Sequence, residues 1–296
     1  MTQVLMDLLA ACHKTRQIAA STLEESLREA LAKPDPVTEV ALRDLWLAKL
    51  RGAKSIYPDG WYMPPPHGMF VQFATDEDPS RVNQTSNRRP EAWPRNDIYL
   101  DRANGLVSAY ASPVDRDTGM IGDFCVMLYF GKSPAIQTHL AEALKLDAEV
   151  FERLEPGMEY ADIARITYEQ LEAHGFANTV ASPTDPTGTN VGHTLPGADT
   201  GWTAAEKAVF AAGDWEATKN MMSHKRLFLN TSEHAKIPPT SGHTIEPRPE
   251  VPGHPELPAA PYHTMVFWRE GTKQFITGFS RLFELAGMDY MPKIKN

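Results

Sequence analysis

Cysteine is scarce in this chain: Cys12 and Cys125 are the only two among 296 residues. Two thiols so far apart make no disulfide framework, and a reducing cytoplasm is the expected location. No run of 18 apolar residues occurs, so no membrane span is expected. The first nine residues carry Asp7 and lack a basic n-region and a small-residue cleavage site, so no signal peptide is read there. Basic runs are lacking too. Lys plus Arg number 29 against 38 for Asp plus Glu, a net charge of −9, which argues against a nucleic-acid partner. Fixed-period repeats and low-complexity tracts are also absent.

What remains is an ordinary globular composition, 42% hydrophobic and 23% charged, which excludes a disordered or collagen-like chain. No Gly/Ser-rich linker divides the sequence, so one α+β domain over 1–296 is expected. Leu5, Leu8, Leu9, Ile18, Leu23, Leu27 and Leu31 recur at three- and four-residue steps, the pattern of one or two amphipathic helices ended by Pro34 and Pro36. Thr38 is placed to cap a second helical segment over 40–50. Residues 57–95 are rich in proline and aromatics and read as a long ordered loop. Segments 97–100, 105–111 and 122–131 have the β-branched and aromatic content of antiparallel strands. Helical spacing returns over 134–154 and 160–173. Short strand-like pieces follow at 187–193, 226–229, 243–245 and 264–268, then a last helix over 279–285.

Asp101 follows the apolar run Ile98-Tyr99-Leu100, and Asp123 precedes Phe124 to Phe130. A carboxylate against such segments needs a positive partner or a metal. His193 and Glu246 are ambiguous in the same way. Taken singly, each is an ordinary turn or core residue. Together, two Asp, one His and one Glu from separate strands form an oxygen and nitrogen set suited to Mn, Fe, Co or Zn.

The run Leu154-Glu-Pro-Gly-Met-Glu-Tyr-Ala-Asp-Ile163 followed by His174-Gly175-Phe176 resembles the central helical segment of the pita-bread metallopeptidase family, which includes methionine aminopeptidase, aminopeptidase P, prolidase and creatinase. Neighbouring segments fall in that family's order: Asp97-Ile-Tyr-Leu-Asp101, Asp123 to Gly131, Gly192-His193, Thr244-Ile-Glu-Pro247, and 264–271. The match spans about residues 10–290.

The resemblance implies a curved antiparallel sheet flanked by helices, a homodimer, and metal ligands at Asp101, Asp123, His193 and Glu246. Three departures bear on chemistry. The two Asp are 22 apart, against about eleven in the family pattern, which implies an enlarged hairpin over 110–122 and leaves Asp97 or Asp115 as substitutes for Asp101. Where the family has a metal-bridging Glu, this chain has Tyr262 beside His263. Loss of that carboxylate implies one metal ion rather than two, with His263 either completing the site or capping a strand end.

Two histidines that assist peptide hydrolysis in the family are replaced by Arg88-Arg89-Pro90 and by the neighbourhood of Thr200. Arg88 or Arg89 can clamp a substrate carboxylate or serve as surface ion pairs. Trp61, Tyr62, His67 and Phe70 can line a pocket mouth or pack a loop, and Cys125 reads as a small core residue. The implied activity is hydrolysis of a small amide- or carboxylate-bearing molecule outside ordinary peptidase chemistry. Alternatives are a mononuclear lyase or Fe(II)/O₂ enzyme, and a metal-free protein-binding pseudoenzyme.

Overall fold

The computed structural model describes residues 2–62, 64–83, 88–179 and 185–294. It opens on one unbroken helix, α1 (Thr2–Ala32), which buries Leu5, Leu8, Leu9, Cys12, Arg16, Ala19, Leu23 and Leu27. That stripe follows the helical apolar period, with one cation inside it. Helix α2 (Glu39–Gly52) starts as expected, with the Thr38 side chain accepting from Ala41 N at 3.1 Å. Trp46, fully buried on α2, donates through Nε1 to Ala19 O at 3.2 Å and to Thr22 Oγ1 at 3.1 Å, fixing the two helices together. Truncating such a side chain to Ala costs about 3–5 kcal/mol.

The expected loop over 57–95 holds a strand, β1 (Met69–Thr75), whose first five residues are buried. The apolar run Met69-Phe-Val-Gln-Phe73 was masked by the prolines and glycines around it. β1 pairs antiparallel with β2 (Gly105–Ala111), and β2 with β3 (Phe124–Tyr129), where Ala111 faces Phe124. Residues 97–100 form no strand; Tyr99 makes a single bridge to Thr38. Helices α3 (Pro134–Arg153) and α4 (Tyr160–Ala173) match expectation closely.

A short strand β4 (Ala177–Asn178) follows, then two helices the periodicity did not announce, α5 (Ala204–Ala212) and α6 (Trp215–Lys225). Their signals were caps: Thr203 with Glu206 three residues on, and Asp214. The expected strands at 187–193 and 226–229 reduce to bridges, His193 to Phe228 and Thr194 to His243. Next come β5 (Ser241–Ile245), β6 (Pro249–Glu250), β7 (Thr264–Arg269), β8 (Thr272–Ile276) and α7 (Ser280–Ala286). β4 pairs with β6, and β5, β7 and β8 form a second antiparallel sheet in the order β5-β7-β8.

The antiparallel architecture is therefore divided between two three-stranded sheets. The first packs with α1, α2 and α7 in one core, through residues such as Leu23, Trp46, Val71, Val107, Val126 and Phe283. The second packs with α3 and α4 through Leu146, Val150, Ile163, Val266 and Trp268. At Gly122, the turn entering β3 meets α1 so closely that a Cβ would sit 2.5 Å from Arg16 N and from Thr15 C. Among the described residues, no helix is long and apolar enough to cross a membrane.

Candidate metal centre

Strand ends build the site. Asp123 immediately precedes β3, Glu246 immediately follows β5, and His263 immediately precedes β7. Because Ile245 pairs with Thr264, the next position of the β5–β7 ladder brings Glu246 and His263 opposite each other. The two sheets meet where His263 N donates to Cys125 O at 3.1 Å. His193 arrives on the segment beside β5, where Thr244 N donates to His193 O and Glu246 N to Val191 O, both at 2.8 Å.

The four side chains converge. His193 Nε2 lies 3.1 Å from Asp123 Oδ2 and 3.2 Å from Glu246 Oε1. His263 Nδ1 lies 3.0 Å from Asp123 Oδ1, and its Nε2 is 3.8 Å from Glu246 Oε2. One ligand atom from each of Asp123, Glu246 and His263 lies within 4.8 Å of the others, and His193 adjoins both carboxylates.

Neighbouring groups fix these donors. His193 Nδ1 is 2.9 Å from Thr194 O, an acceptor only, so Nδ1 must carry a proton and Nε2 is the atom turned to the carboxylates. Thr244 Oγ1 accepts from His193 N at 2.9 Å and donates to Glu246 Oε1. A lone pair on Nε2 against two carboxylate oxygens is repulsive, so the arrangement requires a cation in their midst, either a proton or a metal ion. Two imidazole nitrogens and two carboxylates are donors that fit a divalent ion.

The same crowding governs ionisation. Burial works to raise the Asp123 carboxyl, but the charge of His263 and hydrogen bonds from both histidines outweigh it and hold the group well below the usual range. Burial works to lower His263, and the charges of Glu246 and Asp123 reverse that and raise it.

Aromatic rings wall the cluster. Trp61 stands edge-on to His193 with centroids 5.5 Å apart, its indole N–H held by Ser223 Oγ on α6 at 3.2 Å. Tyr110 stands edge-on to His263 at 5.5 Å and stacks on Phe70 at the same distance. Burial pushes the Tyr110 phenol up, with the Asp123 charge acting in the same direction. Arg226, at the end of α6, places its guanidinium over Phe228 at 4.2 Å and Trp61 at 5.1 Å. Burial lowers Arg226, and Tyr62, Glu246, Tyr110 and Asp123 oppose the shift, so the cation lies within the field of the carboxylates.

Several expected site residues lie elsewhere. Asp101 is outside the cluster: its Oδ1 accepts from Ala103 N at 2.8 Å and Asn104 N at 3.1 Å, closing a turn at the Gly105 end of β2. Asp123 adjoins the Ala111 end, roughly 20 Å of strand away. Neither substitute replaces it, because Asp97 is exposed and pairs with Arg95 while Asp115 Oδ1 caps its own turn at Thr118 N, 2.9 Å. Continuing the β2–β3 register, the residue opposite Asp123 is Ser112, eleven positions earlier, so the hairpin is not enlarged. Ser112 Oγ is instead engaged by Tyr62 N at 2.9 Å.

Tyr262 is 1% exposed in the first core, with its hydroxyl 3.4 Å from Met127 O. Side chains alternate along a strand entry, so His263 facing the cluster turns Tyr262 away. His67 pairs with Asp59 at 2.8 Å in the loop before β1. Exposed Arg88 lies over the Tyr62 ring at 5.7 Å and donates to its hydroxyl, while exposed Arg89 precedes the 3₁₀ turn Pro90–Ala92. Cys125 is buried on β3, which pushes its thiol far up, as a core residue's would be. Sequence reasoning did not single out Thr244, Arg226 or Arg16; Arg16, at an interior position of the α1 stripe, was the one readable signal.

Solved structures share this fold. A methionine aminopeptidase from Rickettsia prowazekii superposes with a TM-score of 0.60 at 13% identity, over 91% of this chain and 96% of that one. An X-Pro aminopeptidase from Thermotoga maritima MSB8 gives 0.55 at 11% identity, over 88% of this chain and 59% of that one. A prolidase from Pyrococcus furiosus gives 0.54 at 12%, over 88% and 62%. The chain thus spans about three fifths of the length of these last two, and nearly all of the first. The fold is the pita-bread fold of these aminopeptidase and prolidase structures. Neither a scan against protein-family models nor a search of curated proteins finds a match.

Proposed function

We propose that this protein is a metal-dependent hydrolase of a small amide- or carboxylate-bearing substrate, with a single divalent ion held by Asp123, His193, Glu246 and His263. The observation that carries the reading is the placement of His193 Nε2, fixed by the Thr194 carbonyl, 3.1 and 3.2 Å from oxygens of two different carboxylates. The likeness to aminopeptidase and prolidase structures supports a hydrolytic scaffold. A bound divalent ion supplies Lewis acidity and a water whose pKa falls from about 16 toward about 7.

The chain's own residues supply the rest. Glu246, steadied by the Thr244 hydroxyl, would be the carboxylate that takes a proton from a nucleophilic water. Trp61 and Tyr110 cover the two imidazoles and restrict solvent. Arg226 adds positive charge beside an otherwise acidic centre, which favours a substrate bearing an anionic group.

The resemblance leaves no histidine where the family's two assisting histidines are expected, and this favours a reaction other than ordinary peptide hydrolysis. Elemental analysis of protein purified without chelator, followed by a hydrolysis panel of small amides and N-acyl amino acids under anaerobic conditions with Mn or Zn, tests the proposal. Less than about a tenth of an equivalent of metal and no turnover would sink it, leaving the metal-free binding role.

A second reading takes Asp123, which adjoins both His193 and His263, as the one carboxylate of the two-histidine, one-carboxylate set of mononuclear Fe(II) oxygenases, with Glu246 left outside that set. Activity that demands Fe(II) and consumes O₂ would select it over hydrolysis.

A further inference from the structure

We propose that Arg16 is a positioning residue for Asp123 and His263, fixing from behind the spacing at which they meet an ion. The inference rests on the reading of that cluster as a metal centre. Arg16 is 1% exposed in the middle of α1. Its hydrogen bonds among the described residues all go to main-chain oxygens. Nη1 donates to Asp123 O, Nη2 to His263 O at 2.5 Å and to Thr277 O at 2.6 Å, and Nε to Thr277 O at 3.1 Å.

Those carbonyls belong to different elements. Asp123 leads into β3 of the first sheet, His263 into β7 of the second, and Thr277 leaves β8. One guanidinium therefore ties together the two chain segments that deliver facing ligand atoms 3.0 Å apart. The rings of Phe124 and Phe279 hold it, at 5.0 and 5.3 Å from its central carbon.

This seat is chemically demanding. A buried cation is costly without compensation, and here the compensation is three carbonyl dipoles, two aromatic faces and the field of the cluster rather than a bonded carboxylate. The planar fork with five N–H donors can serve diverging carbonyls at once, whereas a lysine ammonium would have to choose among them. Outer partners of this sort orient the groups that bind a metal, and their loss typically weakens affinity 10- to 100-fold.

The experiment compares full-length wild type with Arg16→Lys and Phe279→Leu, using Arg81→Lys as a control. Arg81 makes a 2.7 Å pair with fully buried Glu39 away from the cluster, so its variant reports general destabilisation. Calorimetric titration with Mn²⁺ or Zn²⁺ alone is expected to show roughly 10- to 100-fold weaker binding for Arg16→Lys, a smaller loss for Phe279→Leu, and wild-type affinity for Arg81→Lys. Equal affinities in all four proteins would overturn the proposal. So would parallel losses in Arg16→Lys and Arg81→Lys. If Arg16→Lys does not fold, Phe279→Leu against Arg81→Lys decides in the same way.

Should wild type itself bind neither ion, the metal reading fails, and imidazole ¹⁵N–¹H correlations of the metal-free proteins decide the role of Arg16. A displaced His263 signal in Arg16→Lys or Phe279→Leu with His139 unmoved upholds it; unchanged His263 signals in both refute it.

Discussion

Glu246 and His263 stand opposite each other one step beyond the paired residues Ile245 and Thr264, with Glu246 Oε2 and His263 Nε2 3.8 Å apart. Two candidate ligands are thereby set by a strand register rather than by a loop, and His193 and Asp123 close on them from the other side. Removing one donor takes away either a carboxylate charge that would hold the ion or the imidazole that stands between the two carboxylates. His193→Ala, Glu246→Gln and Asp123→Asn should each reduce metal affinity by more than about 100-fold while the far-ultraviolet circular dichroism stays native. Full metal retention in all three would move the centre elsewhere.

His263→Ala separates a ligand from a neighbour. Loss of metal on gel filtration, comparable to that of His193→Ala, is the expected result. Unchanged occupancy with altered turnover would instead restrict His263 to holding Asp123 through its 3.0 Å contact.

His243, on the opposite face of β5, is fully buried against Tyr160, and neither ring nitrogen has a hydrogen-bond partner among the described residues. Burial lowers its pKa to about 3. The ring is neutral in the folded chain and gains a proton on unfolding below about pH 6.5, so the stability it contributes is present above that pH and is lost as pH falls toward 3. Each unit of the descent removes up to about 1.4 kcal/mol. His243→Phe should flatten the urea-unfolding stability profile between pH 6.5 and 4; an unchanged slope would count against this account.

Asp147 on α3 shows the reverse dependence. Burial raises its carboxyl well above the usual range, against the lowering effect of the Thr264 hydroxyl, which donates to Oδ2 at 3.2 Å. The folded chain keeps the proton that the unfolded chain releases above about pH 4, so this group's contribution is complete below that pH and declines as pH rises. Asp147→Asn preserves the acceptor without the titration. It should match wild type near pH 3 and be the more stable protein at pH 8, as read by denaturant midpoints.

The helices were legible wherever an apolar period ran long enough, as in α1, α3 and α4. The candidate ligands Asp123, His193, Glu246 and His263 were legible as a set, through a resemblance in motif order, but the geometry of their meeting was not. It depends on two ladders, Ala111 with Phe124 and Ile245 with Thr264, whose register no single segment encodes. Asp101 misled for the same reason. Its acidic side chain after an apolar run looked like a strand-end ligand, yet the ladder assigns the position opposite Asp123 to Ser112. β1 was hidden by flanking prolines, and Arg226 carried no local signal because its neighbours Trp61 and Tyr62 lie more than 160 positions earlier in the chain.

Gly122 carries a consequence for how this chain can change over time. An added Cβ there would run into the main chain of Thr15 and Arg16, atoms that cannot swing aside as a side chain could. Substitution at 122 must therefore push the helix and the hairpin apart, and the residue next in line is Asp123. A saturation library scored for folded protein should tolerate no other residue at 122, although glycine there offers no donor, acceptor or charge. The most restricted position in the neighbourhood would then be one with no chemistry of its own, and sequence drift in α1 and in the hairpin would have to proceed in step.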